Sequence, residues 1–205
     1  MASMRVDIAK YFCNGNFAKE MLGDSIITSG FIVEKLLDSH EEFRETMERS
    51  KIKTISAKDI CGTNGYTSQI YLVSLELVQE SGKSIPSISV VMKAFSPQRV
   101  EVIFNNFVEG KDETGMKSHI EKMKNQMCVV HNTECDFYSQ FRNVPKEIMP
   151  IPNIYYIQKC DLEIETPGII IMGDLTESSC IAPIYEGLSV DQVNLCFCCL
   201  KNNIK

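Results

Sequence analysis

A strand-like run, Ser87-Ile-Ser-Val-Val-Met-Lys-Ala-Phe95, ends in a lysine, and a long helical pattern downstream carries a carboxylate in phase with its apolar residues. When 114–142 is read as a helix, Met123, Met127, Val130, Glu134, Phe137 and Phe141 recur at steps of 4, 3, 4, 3 and 4. That is the spacing of one buried face. Glu134 then falls inside an apolar stripe, where a carboxylate is costly unless a cation meets it. Truncating one partner of a buried pair costs roughly 3–5 kcal/mol. Lys93 is the expected cation, and an ion pair between them requires the helix to pack on the face of the sheet from which Lys93 projects. A lone lysine on a strand is commonly a surface residue whose stem lies along apolar neighbours; the phase of Glu134 argues for the pair.

The segments around this pair predict an α+β chain. Residues 1–53 read as an N-terminal helical segment, with Ile32, Leu36 and Leu37 on a modest apolar face and a charged, solvated helix or linker from His40 to Lys53. Three consecutive antiparallel strands follow at Lys53–Cys61, Thr67–Val78 and Ile85–Phe95. The turn Gly62-Thr-Asn-Gly-Tyr66 separates the first two and the hairpin loop Gln79-Glu-Ser-Gly-Lys83 the second two. In the second strand Ile70 and Leu72 alternate with Tyr71, Val73, Leu75 and Leu77, so both of its faces are apolar. Ser96-Pro97 opens a helix with Val100, Ile103, Phe104 and Phe107 on one face. After the Glu134 helix, Pro145 to Pro152 breaks the chain, and two more strands are expected at Ile154–Lys159 and Gly168–Met172, joined by the acidic turn Asp161–Glu165. Ser189-Val-Asp-Gln192 is a capping box for a last helix with Val193, Phe197 and Leu200 inward.

Charge and cysteine usage narrow the function classes. A net charge of −6 and a pI near 5.2 disfavour nucleic acid or an anionic membrane as the main partner, since both reward excess Lys and Arg. The N-terminus lacks an apolar signal core and no run of about 18 apolar residues occurs, so a cytoplasmic location is expected. Nine cysteines at irregular intervals form no C-x-x-C pair and read as free thiols. The tail cluster Cys196-Phe-Cys-Cys199 has no nearby histidine, and adjacent cysteines do not all converge on one tetrahedral ion.

Strand, Gly-containing turn, strand, strand with a terminal Lys, helix with an inward Glu, then two strands is the order of a kinase small lobe. Gly62-Thr-Asn-Gly65 is neither a full G-x-G-x-x-G nor a P-loop, yet its backbone N–H groups and the Thr67 and Ser68 hydroxyls suit a cover over phosphates. The strings Ala57–Tyr71, Val90-Val-Met-Lys93, His131-Asn-Thr-Glu-Cys-Asp-Phe-Tyr138, Ile151–Tyr156, Gly168–Met172 and Pro183–Ser189 resemble the invertebrate CHK kinase-like family. That family is related to ecdysteroid kinases and more distantly to choline and aminoglycoside phosphotransferases. The resemblance implies ATP as cofactor. Lys93 would orient the α- and β-phosphates and Glu134 would hold Lys93. Asn64, Gly65, Thr67 and Ser68 would belong to the phosphate-covering loop, and the backbone at Met172, Gly173 and Asp174 would form the hinge that meets adenine.

Two departures from the family pattern bear on activity. Gly173 stands where the family usually has an acidic hinge residue. Met172-Gly-Asp-Leu175 looks like the catalytic loop His-Gly-Asp-Leu, but it follows the fifth strand, lacks His, and has no Asn after it to bind metal. A kinase large lobe supplies the base Asp and the metal-binding Asn and Asp. With the chain ending at Lys205, no catalytic residue and no magnesium ligand is expected here. The organisation expected is an N-terminal helical segment (1–53), a small lobe with hinge (54–176) and the start of a truncated large lobe (177–205). The function expected is that of a catalytically incomplete small-molecule phosphotransferase. A non-enzymatic interaction module, binding a protein partner through the apolar face of the last helix, is the alternative; a cysteine-based redox or metal protein is a third.

Overall fold

The computed structural model describes residues 7–61, 68–98, 100–102 and 113–177. The Gly62–Thr67 turn, most of the helix opened by Ser96-Pro97, and the last helix with Val193, Phe197 and Leu200 lie outside the described residues. Five strands, β1 (Ser50–Asp59), β2 (Gln69–Gln79), β3 (Ser84–Phe95), β4 (Ile154–Gln158) and β5 (Gly168–Gly173), form one sheet in the order β1-β2-β3-β5-β4. All four pairings are antiparallel. The α+β class and the five-stranded sheet are as the sequence predicts. The β2–β3 hairpin shows why: Gly82 sits at φ +80°, where a side chain is disfavoured, and Gln79 and Lys83 close the loop through Gln79 N–H to Lys83 C=O at 2.9 Å.

The two faces of the sheet are covered differently. Tyr71, Val73, Leu75 and Leu77 of β2, Val90 and Met92 of β3, and Ile169 and Ile171 of β5 all point to one face and are buried. Two one-turn 3-10 helices (Ile8–Tyr11 and Gly15–Lys19), α1 (Ser29–Ser39) and α2 (Glu41–Met47) cover them. Thr28 starts α1 by accepting the Phe31 N–H on its hydroxyl at 3.2 Å. Ile32, Val33 and Leu36 of α1 enter the core completely, while Leu37 is half-buried.

The stretch from His40 to Lys53 is neither a solvated helix nor a linker. Phe43 and Met47, one helical turn apart on α2, are 0% and 4% exposed, while Glu41, Glu42 and Glu45 face water. The dense charge of this segment hides two apolar anchors at i and i+4. The strand that follows begins at Ser50, not Lys53.

α3 (Glu113–Phe141) lies on the other face. Its inward side is rotated by about one residue from the sequence expectation. Ile120, Cys128, His131 and Cys135 are buried, whereas Val130 and Phe137 are 59% and 40% exposed. The reason is chemical: the side of α3 that meets the sheet also meets backbone groups at the end of β4, and Cys, His and Asn serve those groups where Val and Phe do not. Phe95, Val100, Cys128 and Cys160 form the small core between helix and sheet, with Met123, Met127 and Leu162 packed on it. Among the described residues no helix is long and apolar enough to cross a membrane.

Because α2 contributes to the same core as the sheet, Phe43→Ala should lower the unfolding free energy by about 3–5 kcal/mol. Urea denaturation followed by circular dichroism measures this, and a loss below about 1 kcal/mol would mean that α2 lies outside the cooperative unit.

Candidate functional site

Lys93 sits on β3 between Met92 and Ala94, which are buried on the N-terminal face, so its own side chain emerges on the α3 face. Strand register puts Ile70 of β2 and Ile170 of β5 level with it, and Leu72, Val91 and Met172 make the next row. Ile170 is fully buried, but Ile70, Leu72, Val91 and Met172 are only partly covered. The result is a half-open apolar platform one strand-row away from a cation.

Glu134 of α3 reaches that cation, with Lys93 Nζ 2.5 Å from Glu134 Oε2 and the two side chains 23% and 26% exposed. Glu134 therefore lies at the margin of the helix–sheet contact and not within an apolar stripe. Exposed ion pairs contribute about 0–1 kcal/mol, and a quarter-exposed pair sits nearer that range than the fully buried limit. The pair adds little to stability, and its exposed side is open to a ligand.

At the other end of the platform, Asp174 Oδ2 accepts from the Ser89 hydroxyl at 2.6 Å, and Asp174 Oδ1 accepts from the Thr176 N–H at 2.9 Å. Burial raises the Asp174 pKa, but the hydrogen bonds from Ser89 and Thr176 outweigh it and hold the carboxyl below its usual value. The Asp174 side chain is thus engaged within the protein, at the end of β5 where the segment Met172 to Asp174 borders the platform. Gly173 donates its N–H to Asn153 C=O at 2.8 Å, and a methyl at Gly173 would make only ordinary 3.7 Å contacts with Asn153 and Tyr155. Ser68 is buried, and its carbonyl accepts from the Cys61 thiol at 3.7 Å. Asn64, Gly65 and Thr67 lie outside the described residues. A cleft of about 390 Å³ at the end of the sheet, lined by Asp24, Gln69, Ser96 and Pro167 among others, includes neither Lys93 nor Glu134 in its wall.

The polar residues that seat α3 are not among those expected from the sequence. His131 Nε2 lies 3.0 Å from Gln158 C=O and so carries the ring proton, which leaves Nδ1 buried with no hydrogen-bond partner among the described residues. The ring stacks on Phe95 with centroids 5.8 Å apart. A methyl on Gly168 would come within 2.2 Å of Nε2, so only glycine leaves room for this ring. Asn132 bonds the Cys160 backbone twice, accepting its N–H at 2.8 Å and donating to its C=O at 3.0 Å. Asp136 pairs with Lys159 at 2.6 Å. The signal was the string His131-Asn-Thr-Glu-Cys135 itself, whose polar residues at i and i+1 share the inward side with Cys135 at i+4.

The described cysteines, Cys13, Cys61, Cys128, Cys135 and Cys160, are free. Burial first, then neighbouring Glu134, pushes Cys135 up to about 11, and burial with the adjacent Cys128 thiol pushes Cys160 up to about 12. Both stay protonated at neutral pH and are weak nucleophiles.

Burial also holds His131 below its ordinary 6.5, despite the opposing pull of the Gln158 hydrogen bond and Glu134. The unfolded chain then binds a proton first as pH falls, so the stability linked to His131 is full above about pH 6.5 and is lost as pH drops through the folded pKa. His40, likewise lowered by burial, acts in the same direction. In urea unfolding, His131→Gln should therefore lose less stability than the wild type between about pH 7.5 and pH 5, and equal losses would show that His131 carries none of the dependence.

A family model described as "Uncharacterized oxidoreductase dhs-27" matches residues 34–196, more than half of the chain. No curated protein and no solved structure matches it. The matched span runs from within α1 through the whole sheet and α3, and so includes Lys93, Glu134, His131, Asn132 and the Met172–Asp174 segment. The chain belongs to this family, DUF1679, a family of invertebrate CHK-kinase-like proteins.

Proposed function

We propose that this chain is the nucleotide-binding small lobe of an ATP-dependent phosphotransferase of the CHK kinase-like type, acting on a small hydroxyl-bearing molecule. The observation that carries the reading is the strand-to-helix pair Lys93–Glu134 beside a half-open apolar platform of Ile70, Leu72, Val91 and Met172. An adenine ring suits such a platform, with the hinge segment Met172 to Asp174 at its edge. The α- and β-phosphates then lie toward Lys93, whose ammonium Glu134 holds in place. The family resemblance assigns Asn64, Gly65, Thr67 and Ser68 to the segment that would cover the phosphates.

The family model's description names an oxidoreductase. A dinucleotide-dependent oxidoreductase of the doubly wound type sets its cofactor on parallel strands at a Gly-rich turn into a helix. Here all four pairings between the described strands are antiparallel, and the ion pair joins a strand to a helix. Both features favour the kinase-like reading.

Phosphoryl transfer depends on a base Asp and on Asn and Asp ligands for magnesium. The 205 residues contain no His-Gly-Asp string, and Asp174 is committed to Ser89 and Thr176. We therefore assign these 205 residues nucleotide binding without turnover.

A second reading, a non-enzymatic interaction module, draws on one observation: Val129, Val130 and Phe137 on the outer side of α3 are 64%, 59% and 40% exposed. Such a module has no need of the Lys93–Glu134 pair.

Titration with a fluorescent ATP analogue and magnesium separates the two. Lys93→Ala should weaken binding about 10–100-fold, the size of one lost charge-assisted contact of about 1.5–3 kcal/mol. Glu134→Gln should weaken it less, and no ATP hydrolysis or transfer should be detected. Equal affinity in wild type and Lys93→Ala, or no binding by either, would overturn the small-lobe reading.

A further inference from the structure

The residues that seat α3 act at one place, the three residues Gln158, Lys159 and Cys160. His131 bonds Gln158 C=O, Asp136 pairs with Lys159, and Asn132 bonds both backbone groups of Cys160. The Cys128 thiol adds a 3.5 Å contact to Cys160 C=O. Gln158 ends β4, and the residue before it, Ile157, is level with Ile170 of β5, which is level with Lys93 of β3. A closed circuit results: Lys93 to Glu134 across the ion pair, along α3 to Asn132, across to Cys160, and back through β4 and β5 to the strand that carries Lys93.

Within that circuit Asn132 has a geometry that the others lack. A side-chain amide that accepts from an N–H and donates to the C=O of one residue reproduces a two-point strand contact, which fixes direction as well as distance. Cys160 is 4% exposed, so water does not readily replace either bond. Asn132 lies two residues from Glu134 and bonds a different partner, so a shift of the helix along its axis strains the Asn132 bonds and the Lys93–Glu134 pair together.

We propose that Asn132 is a positioning residue, a latch that locks α3 to the end of β4 so that the Lys93–Glu134 pair stands assembled before any nucleotide arrives. Its functional meaning rests on the small-lobe reading above; its structural claim does not. In this protein the helix that carries the glutamate is clipped to the sheet by a backbone-bonding amide, and a ligand finds the lysine already oriented.

The test reads the amine of Lys93 directly. The folded chain is treated briefly with an amine-acylating reagent, and the rate at each lysine is followed by mass spectrometry, with exposed Lys53 as the internal reference. Glu134→Gln should speed acylation of Lys93 by releasing it. Asn132→Ala should raise the Lys93 rate roughly two- to tenfold, the range expected from loss of net hydrogen bonding, without changing Lys53. Asn132→Asp keeps the acceptor for Cys160 N–H but loses the donor to its C=O, and should fall between Asn132→Ala and wild type. Adding Asn132→Ala to Glu134→Gln should raise the rate no further, because the latch acts only through the pair.

An unchanged Lys93 rate in folded Asn132→Ala would overturn the proposal, as would full additivity in the double variant. If Asn132→Ala does not fold, Asn132→Asp decides alone, and a wild-type Lys93 rate there is the overturning result. MgATP added to wild type should slow Lys93 acylation if the small-lobe reading holds. Absence of that protection alongside an intact Asn132 effect would sink the nucleotide reading and leave the latch standing.

Discussion

A sheet with apolar side chains on both faces needs cover on both sides. Here the covers are unequal, and that inequality organises the molecule. The N-terminal helices close one face completely, down to Tyr71 and Leu75 at 1% and 0% exposure. α3 closes the other only toward the end of β3 and the start of β5, over Phe95 and Ile170, and leaves the rows at Ile70, Leu72, Val91 and Met172 partly open. Close packing makes the first face a rigid support. The open rows of the second are where an apolar ring can lie with an oriented ammonium next to it.

Polar side chains do the fine placement. α3 gains its hydrophobic contact from Met123, Met127 and Cys128, but that contact is non-directional and would tolerate sliding. Direction comes from Asn132, His131 and Asp136, each bound to one of three successive residues after or at the end of β4. The buried Nδ1 of His131, without a hydrogen-bond partner among the described residues, is the cost of this arrangement: the ring is held at Nε2 and by Phe95, and burial lowers its pKa.

The strands were legible because their signals are local. Alternation in β2, the Gly82 turn and the β-branched runs of β3 and β5 each specify a strand without reference to the rest of the chain. The Lys93–Glu134 pair was expected from a charge within an apolar pattern, and it forms although that pattern is not the buried face, with Glu134 at the margin of the helix–sheet contact. The rotation of α3 was not legible, because hydrophobic periodicity assumes that inward residues are apolar, and here the inward residues were chosen for backbone groups contributed by β4, far along the sequence. α2 was misread for a related cause: all six residues of His40–Met47 other than the anchors Phe43 and Met47 are polar or charged, so composition overrode spacing. Ser89 and its bond to Asp174 join positions that are neighbours only after β3 and β5 pair, and no pattern within either strand announces them.

The strand order leaves β1 and β4 as the outer strands, and their chemistry governs how this sheet behaves beside copies of itself. β1 carries exposed Lys51, Lys53 and Lys58, and part of its outer ladder is already engaged, with Phe12 bridged to Ile52 and Cys13 N–H bonded to Ile52 C=O at 2.9 Å. β4 is five residues long, and its tyrosines are held down by α1 and by His40, Tyr156 against Phe31 and Tyr155 stacked on His40. Short or lysine-studded borders discourage strand addition between molecules. A lobe rich in β-branched residues thereby limits its own tendency to polymerise, and it does so with the same N-terminal segment that closes its core.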